Sequence, residues 1–240
     1  MKIYLYLLIA LTSSFSFSQT KGRVTYKIIS EKLTSDGNKK VFVEYLNNLN
    51  EIRDSLYLNL DFHNYESTFY VDDETNIGLS NEKGYKPIIN SFKTYYKNDL
   101  TKISIKLVNL DKIYSVKSKT ANSIWKITKE KKRIGNYTCI KAIAKVDDKH
   151  PTRGLYTKQI DAWFCPEIAI SLGPNNYGGL PGLIMELKEG KFTYYVKNIN
   201  LKPDFEIKIE KPKGKVITQK EYFDIIPTIT RENIKEYIGN

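Results

Sequence analysis

Residues on which chemistry is commonly built are scarce in this chain: its 240 residues include 2 cysteines and 2 histidines. His63 and His150 both fall in turn-like segments, and neither stands at metal-ligand spacing from a Cys or from the other. No metal is therefore expected. A Gly-x-Ser-x-Gly elbow is missing, which removes the usual cue for Ser-His-Asp catalysis. Cys-x-x-Cys is missing too, which argues against a redox pair. The densest glycine segment has no Lys with Ser or Thr at a helix start, so it does not read as a phosphate loop. No cofactor is implied. Internal repeats and low-complexity linkers are absent, and no apolar run approaches the roughly 20 residues of a membrane span.

The one short apolar run, residues 3–11, lies behind Lys2 and leads into a serine-rich stretch with small residues at Ser16 and Ser18. That is the pattern of a secretory signal peptide, expected over residues 1–18 with cleavage after Ser18. Residues 19–240 then form a single β-rich domain with no transmembrane anchor. No cysteine near the cut supports a lipid anchor. The expected location is exported: periplasmic, cell-surface or secreted.

The formal net charge is +11. Such a balance can signal nucleic acid or an anionic membrane surface. Here the lysines are spread along alternating strand positions, and the densest cluster, Lys129-Glu130-Lys131-Lys132-Arg133, reads as a turn. With export, this points to a solvated basic surface and away from a nucleic-acid partner.

Strand patterns run through residues 22–30, 40–49, 55–60, 66–71, 100–107, 112–117, 137–146, 191–201 and 205–209, with turn chemistry at Ser35-Asp36-Gly37-Asn38 and a break over residues 61–64. Helix signals come late. Thr218-Gln219-Lys220-Glu221 is a capping box, and residues 231–238 end at Gly239. The expected fold is mainly β: a curved antiparallel sheet or half-open barrel with short C-terminal helices.

A hairpin centred on Thr152 places Ala142 opposite Ala162 and Ile140 opposite Phe164, so the apolar faces of its strands coincide. The same register sets Cys139 opposite Cys165. In an exported protein a cross-strand disulfide is expected, worth on the order of 3 kcal/mol by loop entropy. Two buried free thiols are the alternative.

Asp161, Glu167 and Glu186 are the carboxylates nearest the glycine-dense segment. They are candidates for acid–base work on a sugar or peptide. The plainer reading pairs Asp161 with a lysine across the hairpin and turns Glu186 outward. The segment itself, Tyr177-Gly178-Gly179-Leu180-Pro181-Gly182-Leu183-Ile184, follows Ala162-Trp163-Phe164-Cys165 and Gly173-Pro174. Its glycines permit close backbone approach, and Leu180, Leu183 and Ile184 are expected to anchor it on the core.

The complete hexapeptide Gly179-Leu180-Pro181-Gly182-Leu183-Ile184 resembles the signature of the GLPGLI family, exported proteins of Bacteroidetes-type bacteria. The run Gly135-Asn136-Tyr137-Thr138-Cys139-Ile140-Lys141-Ala142 is similar to a second element of that family, with one extra residue after Gly135. Ile168-Ala169 departs from the Ile-Pro often found there. The resemblance implies an exported location and no established activity, so it transfers no catalytic residue.

The expected function is a non-enzymatic envelope module that binds an envelope protein or an apolar small ligand. Trp163, Tyr177 and Leu180 are the candidate ligand-binding residues, with Trp163, Phe164 and Tyr177 set to line either a core or a groove. The alternative is a carboxylate-dependent hydrolase acting on sugars or peptides.

Overall fold

The computed structural model describes residues 20–34, 40–64, 66–72, 76, 92, 94–97, 103–109, 113–119, 125–150, 154–175, 177–211 and 214–225. The expected signal peptide, the turns at 35–38 and 151–153, and the helix at 231–238 lie outside these residues. Twelve strands form one sheet: β1 (Lys21–Ser30), β2 (Leu58–His63), β3 (Glu66–Val71), β4 (Thr94–Lys97), β5 (Ile103–Asn109), β6 (Ile113–Lys119), β7 (Lys126–Ile134), β8 (Tyr137–His150), β9 (Gly154–Cys165), β10 (Leu183–Glu189), β11 (Phe192–Asn200) and β12 (Lys215–Thr218). Their spatial order is β12-β6-β5-β4-β3-β2-β1-β11-β10-β9-β8-β7. Neighbours are antiparallel except β12, which runs parallel to β6. Among the described residues β7 and β12 are edges that do not pair, so the sheet is not closed into a barrel.

Alternation decides the faces. On β1, Val24, Tyr26 and Ile28 are buried while Arg23, Thr25 and Lys27 stay partly exposed. Leu58, Leu60 and Phe62 of β2 and Ala142, Ile160, Ala162 and Phe164 of the long hairpin join the same core. The hairpin register is the expected one, with Ala142 opposite Ala162 and Ile140 opposite Phe164. Cys139 and Cys165 come next in line; both are fully buried, and both are free thiols here, without the expected bond.

Several expectations are corrected. Residues 40–49 are not a strand but most of helix α1 (Lys40–Ser55). Its sheltered positions are Val43, Leu46, Asn47, Leu49, Asn50 and residues 52–55, and Leu49 and Ile52, three residues apart, pack on the core, which a two-residue alternation does not fit. The basic cluster at 129–133 lies within β7, and the turn falls at Gly135-Asn136, where Gly135 has φ +57°. β2 continues through Asp61 to His63, because Asp61 is paired across to Arg23. Residues 205–209 form no strand; Phe205 instead lies over the Arg23 guanidinium, 4.5 Å from its ring centroid.

The capping box forms as expected at α2 (Gln219–Ile225). The Glu221 carboxylate accepts from the Thr218 amide at 2.7 Å, and the Thr218 hydroxyl accepts from the Glu221 amide at 3.2 Å. Although α2 follows the edge strand β12, Lys149 near the end of β8 donates to its Phe223 carbonyl. The helix therefore bridges β12 and the far end of β8.

Candidate functional site

The chain leaves β9 at Cys165 and re-enters the sheet at Leu183. The loop between them folds on its own backbone: the Gly179 amide donates to Ser171 O at 3.0 Å, Leu183 to Ile168 O at 3.0 Å, and Ile184 to Leu172 O at 2.9 Å. Ser171 Oγ adds a bond to Leu180 O at 2.8 Å. These bonds satisfy polar groups that a buried loop would otherwise strand. Two glycines are set by contact. A β-carbon on Gly182 would lie 2.1 Å from the Cys165 carbonyl oxygen, and one on Gly173 would lie 2.6 Å from Ile184 Cδ1. Leu180, Leu183 and Ile184 are buried, while Pro181 stays exposed. From β1, the Tyr26 hydroxyl donates to Ile184 O at 2.7 Å, beside the register shift between Ile184 and Glu186. The hexapeptide is held as core structure.

One end of this loop meets a half-buried ionic cluster. Glu189 accepts from Lys158 Nζ at 2.5 Å, Tyr177 Oη at 3.0 Å and Asn175 Nδ2 at 2.7 Å, and Lys158 also reaches Asp148 at 2.8 Å. Burial works against the Lys158 ammonium, but Glu189 and Asp148 outweigh it and raise its pKa. Burial, reinforced by Glu189, holds the Tyr177 phenol protonated far above its ordinary range. Trp125 packs edge-on against Tyr177 and donates to Gly178 O at 2.9 Å. Every group here has a partner from β8, β9, β10 or the loop, so the cluster fastens the loop to three strands.

The three candidate carboxylates have separate duties. Asp161 faces Lys141 at 3.7 Å and accepts from Gln159 Nε2 at 2.8 Å. Glu186 pairs with Lys132 at 2.7 Å. Glu167 accepts from the Thr138 amide at 2.9 Å. The cross-hairpin pairing of Asp161 and the outward course of Glu186 follow the plainer of the two sequence readings. Between them stands Trp163, with Lys132 Nζ 4.5 Å and Lys141 Nζ 6.0 Å from its ring centroid. These cations occupy the ring face in a cation–π arrangement.

Trp163, Tyr177 and Leu180 accordingly have separate surroundings, though Trp163 and Tyr177 both pack against the core that holds Leu180. Trp163 alternates away from Phe164 and Ala162 onto the outer face, Leu180 is in the core, and Tyr177 is bound to Glu189. His63 ends β2 and His150 ends β8. Among the described residues no group of three or more His, Cys, Asp or Glu is placed to hold a metal ion, and no helix is long and apolar enough to cross a membrane.

Two features were not anticipated from sequence. Asp61, 2% exposed, takes Arg23 in a two-point pair at 2.7 and 2.8 Å and Tyr70 Oη at 3.0 Å. The hydrogen bond to Asp61 raises the Arg23 pKa against burial. The β1–β2 and β2–β3 registers bring these residues together, and no local motif marks it. The second is β7 itself, an edge strand carrying Lys126, Lys129, Lys131, Lys132 and Arg133 with exposed Ile127. Its only local signal was the strand-like Lys126-Ile127 start and Ile134 at its end, either side of five consecutive charged residues.

A family model described as "Protein of unknown function (Porph_ging)" matches residues 145–186, from the end of β8 to the start of β10. No curated protein matches the chain. Two solved structures of PNGF-II are similar in fold. The form in space group P21 is 14% identical with a TM-score of 0.52, covering 86% of this chain and 33% of that one. The form in space group C2 is 13% identical with a TM-score of 0.50, covering 86% of this chain and 32% of that one. This chain thus spans about a third of the length of those structures, and at such identity the likeness is one of fold alone.

Proposed function

We propose that this chain is an exported protein of the GLPGLI type that acts, after loss of residues 1–18, as a non-enzymatic interaction module in the cell envelope. Its partner is a protein rather than an apolar small ligand, and it docks along β7 through an acidic, extended segment. The observation that carries this is the open flank of β7. It is a nine-residue edge strand, unpaired on one side among the described residues, with Lys126, Lys129, Lys131 and Arg133 along it and a single acidic residue, Glu130. Such an edge offers a row of main-chain donors and acceptors to an added strand. Its lysines repel a second copy of the same edge while attracting a segment of opposite charge. Edge lysines also serve simply to keep sheets from aggregating; the two roles part on whether an acidic strand binds. The apolar-ligand reading loses support because Tyr177 and Leu180 are taken up by the core and by Glu189. Hydrolysis loses support because Asp161, Glu167 and Glu186 have separate partners.

The test is binding of an alternating Glu–Val peptide, with a Lys–Val peptide as control. Salt-sensitive binding of the acidic peptide is expected, lost in the Lys126→Glu/Lys129→Glu/Lys131→Glu variant. Equal binding by the variant, or equal binding of both peptides, contradicts the proposal.

A further inference from the structure

Cys139 and Cys165 are each 0% exposed at the root of the glycine-rich loop. They continue the Ile140–Phe164 register by one position, and each is held by other strands: Cys139 is paired with Lys132 of β7 and Cys165 with Leu183 of β10. The Cys165 carbonyl also accepts from the Ile168 amide at 3.3 Å and lies directly over Gly182. Two thiols are thus opposed, sealed from solvent and placed where the loop begins.

We propose that Cys139 and Cys165 are joined as a disulfide in the exported protein, and that the bond closes during folding, before β7 and β10 seal the pair. It clamps the loop root to β8, a role independent of the docking proposed for β7. The chemistry balances as thiol–disulfide exchange with a disulfide oxidant of the export compartment. One cysteine thiolate attacks the oxidant's disulfide and releases one thiol. The second thiolate then attacks the mixed disulfide, forming the Cys139–Cys165 bond and releasing the other thiol. The pair loses two electrons and two protons, and the oxidant is reduced to its dithiol.

The timing follows from access and ionisation. Exchange requires a thiolate within reach of the oxidant. Once the fold is complete neither sulfur is exposed, and burial, with the neighbouring Cys165, pushes the Cys139 thiol up to about 11. Burial raises Cys165 as well, against the pull of the Ile168 and Glu167 amides.

The test is intact mass with thiol alkylation under denaturing conditions, on the full chain exported to an oxidising compartment. A mass lower by two hydrogens and no alkylation are expected; two alkylated cysteines overturn the bond. For timing, the chain is reduced, refolded under reductant and then exposed to oxidised glutathione, either folded or in urea. Oxidation at least tenfold slower in the folded state is expected, and equal rates overturn the order of events. The reduced parent, and a Cys139→Ala/Cys165→Ala variant whose circular dichroism matches it, are both expected to be cleaved faster in the loop than the oxidised parent. Equal resistance overturns the clamp.

Discussion

Gly182 lies beneath Cys165 so closely that a β-carbon there would sit 2.1 Å from the Cys165 carbonyl oxygen. The neighbour is backbone at the end of β9, not a side chain that can turn aside. Gly182 also has φ +152°, which strains any other residue. Gly182→Ala is expected to cost about 3 kcal/mol or more. Gly190 has φ +59°, but a β-carbon there would meet nothing within 4 Å, so Gly190→Ala is expected to cost only about 1 kcal/mol. Urea denaturation separates the two; equal losses would contradict a contact-determined loop.

Tyr26 holds the loop's exit from across the core. Its hydroxyl is buried and donates to Ile184 O at 2.7 Å. Tyr26→Phe keeps the ring and strands the carbonyl, so a loss of about 1–3 kcal/mol is expected. A thermal midpoint unchanged from the parent would show that this bond carries nothing.

Glu189 gathers three donors, and the ammonium of Lys158 depends on it. Glu189→Gln is expected to cost about 3 kcal/mol, because it leaves Lys158 with Asp148 alone. Adding Lys158→Met removes the stranded charge and is expected to recover part of that loss. Strict additivity of the two substitutions, within about 0.5 kcal/mol, would mean they are not coupled.

The reduced protein should weaken in alkali in a way traceable to one thiol. Cys139 has its pKa raised by burial to about 11, with Cys165, Glu167 and Glu186 adding to the rise and Lys132 opposing it. A raised acid group favours the folded state below its unfolded pKa. That increment, on the order of 2 kcal/mol, is therefore full below about pH 9 and lost as the pH climbs towards about 11. Tyr26, Tyr177 and Tyr194 add losses of the same sign at higher pH. Urea unfolding of reduced parent and Cys139→Ala, compared at about pH 8 and about pH 10.5, isolates the thiol. The parent is expected to lose more; identical losses would contradict it.

What could be read from sequence was what neighbouring residues encode. The hairpin register followed from turn position and matching apolar faces, and the Thr218–Glu221 cap from four residues in a row. Helix α1 was missed because Val41, Val43 and Tyr45 mimic alternation, while its sheltered positions recur only over whole turns. The 129–133 part of β7 was misread because five charges in a row resemble a turn, although a partly exposed edge strand tolerates them. The Arg23–Asp61–Tyr70 and Lys158–Glu189–Tyr177 groups join residues from separate elements. Their partners exist only once the sheet has its order, so no local pattern could announce them. The glycine-dense segment was legible as an ordered loop, and its hydrogen bonds bear that out.

The central claim, that partner contact lies at β7 and not at the hexapeptide, is tested most directly by photo-crosslinking in the exported protein. A photoreactive side chain is placed in turn at Ile127 on β7 and at Pro181 in the hexapeptide, both exposed. The account predicts an adduct with an acidic envelope protein from position 127, lost in the triple lysine-to-glutamate variant, and none from position 181. An adduct from position 181 alone would contradict it.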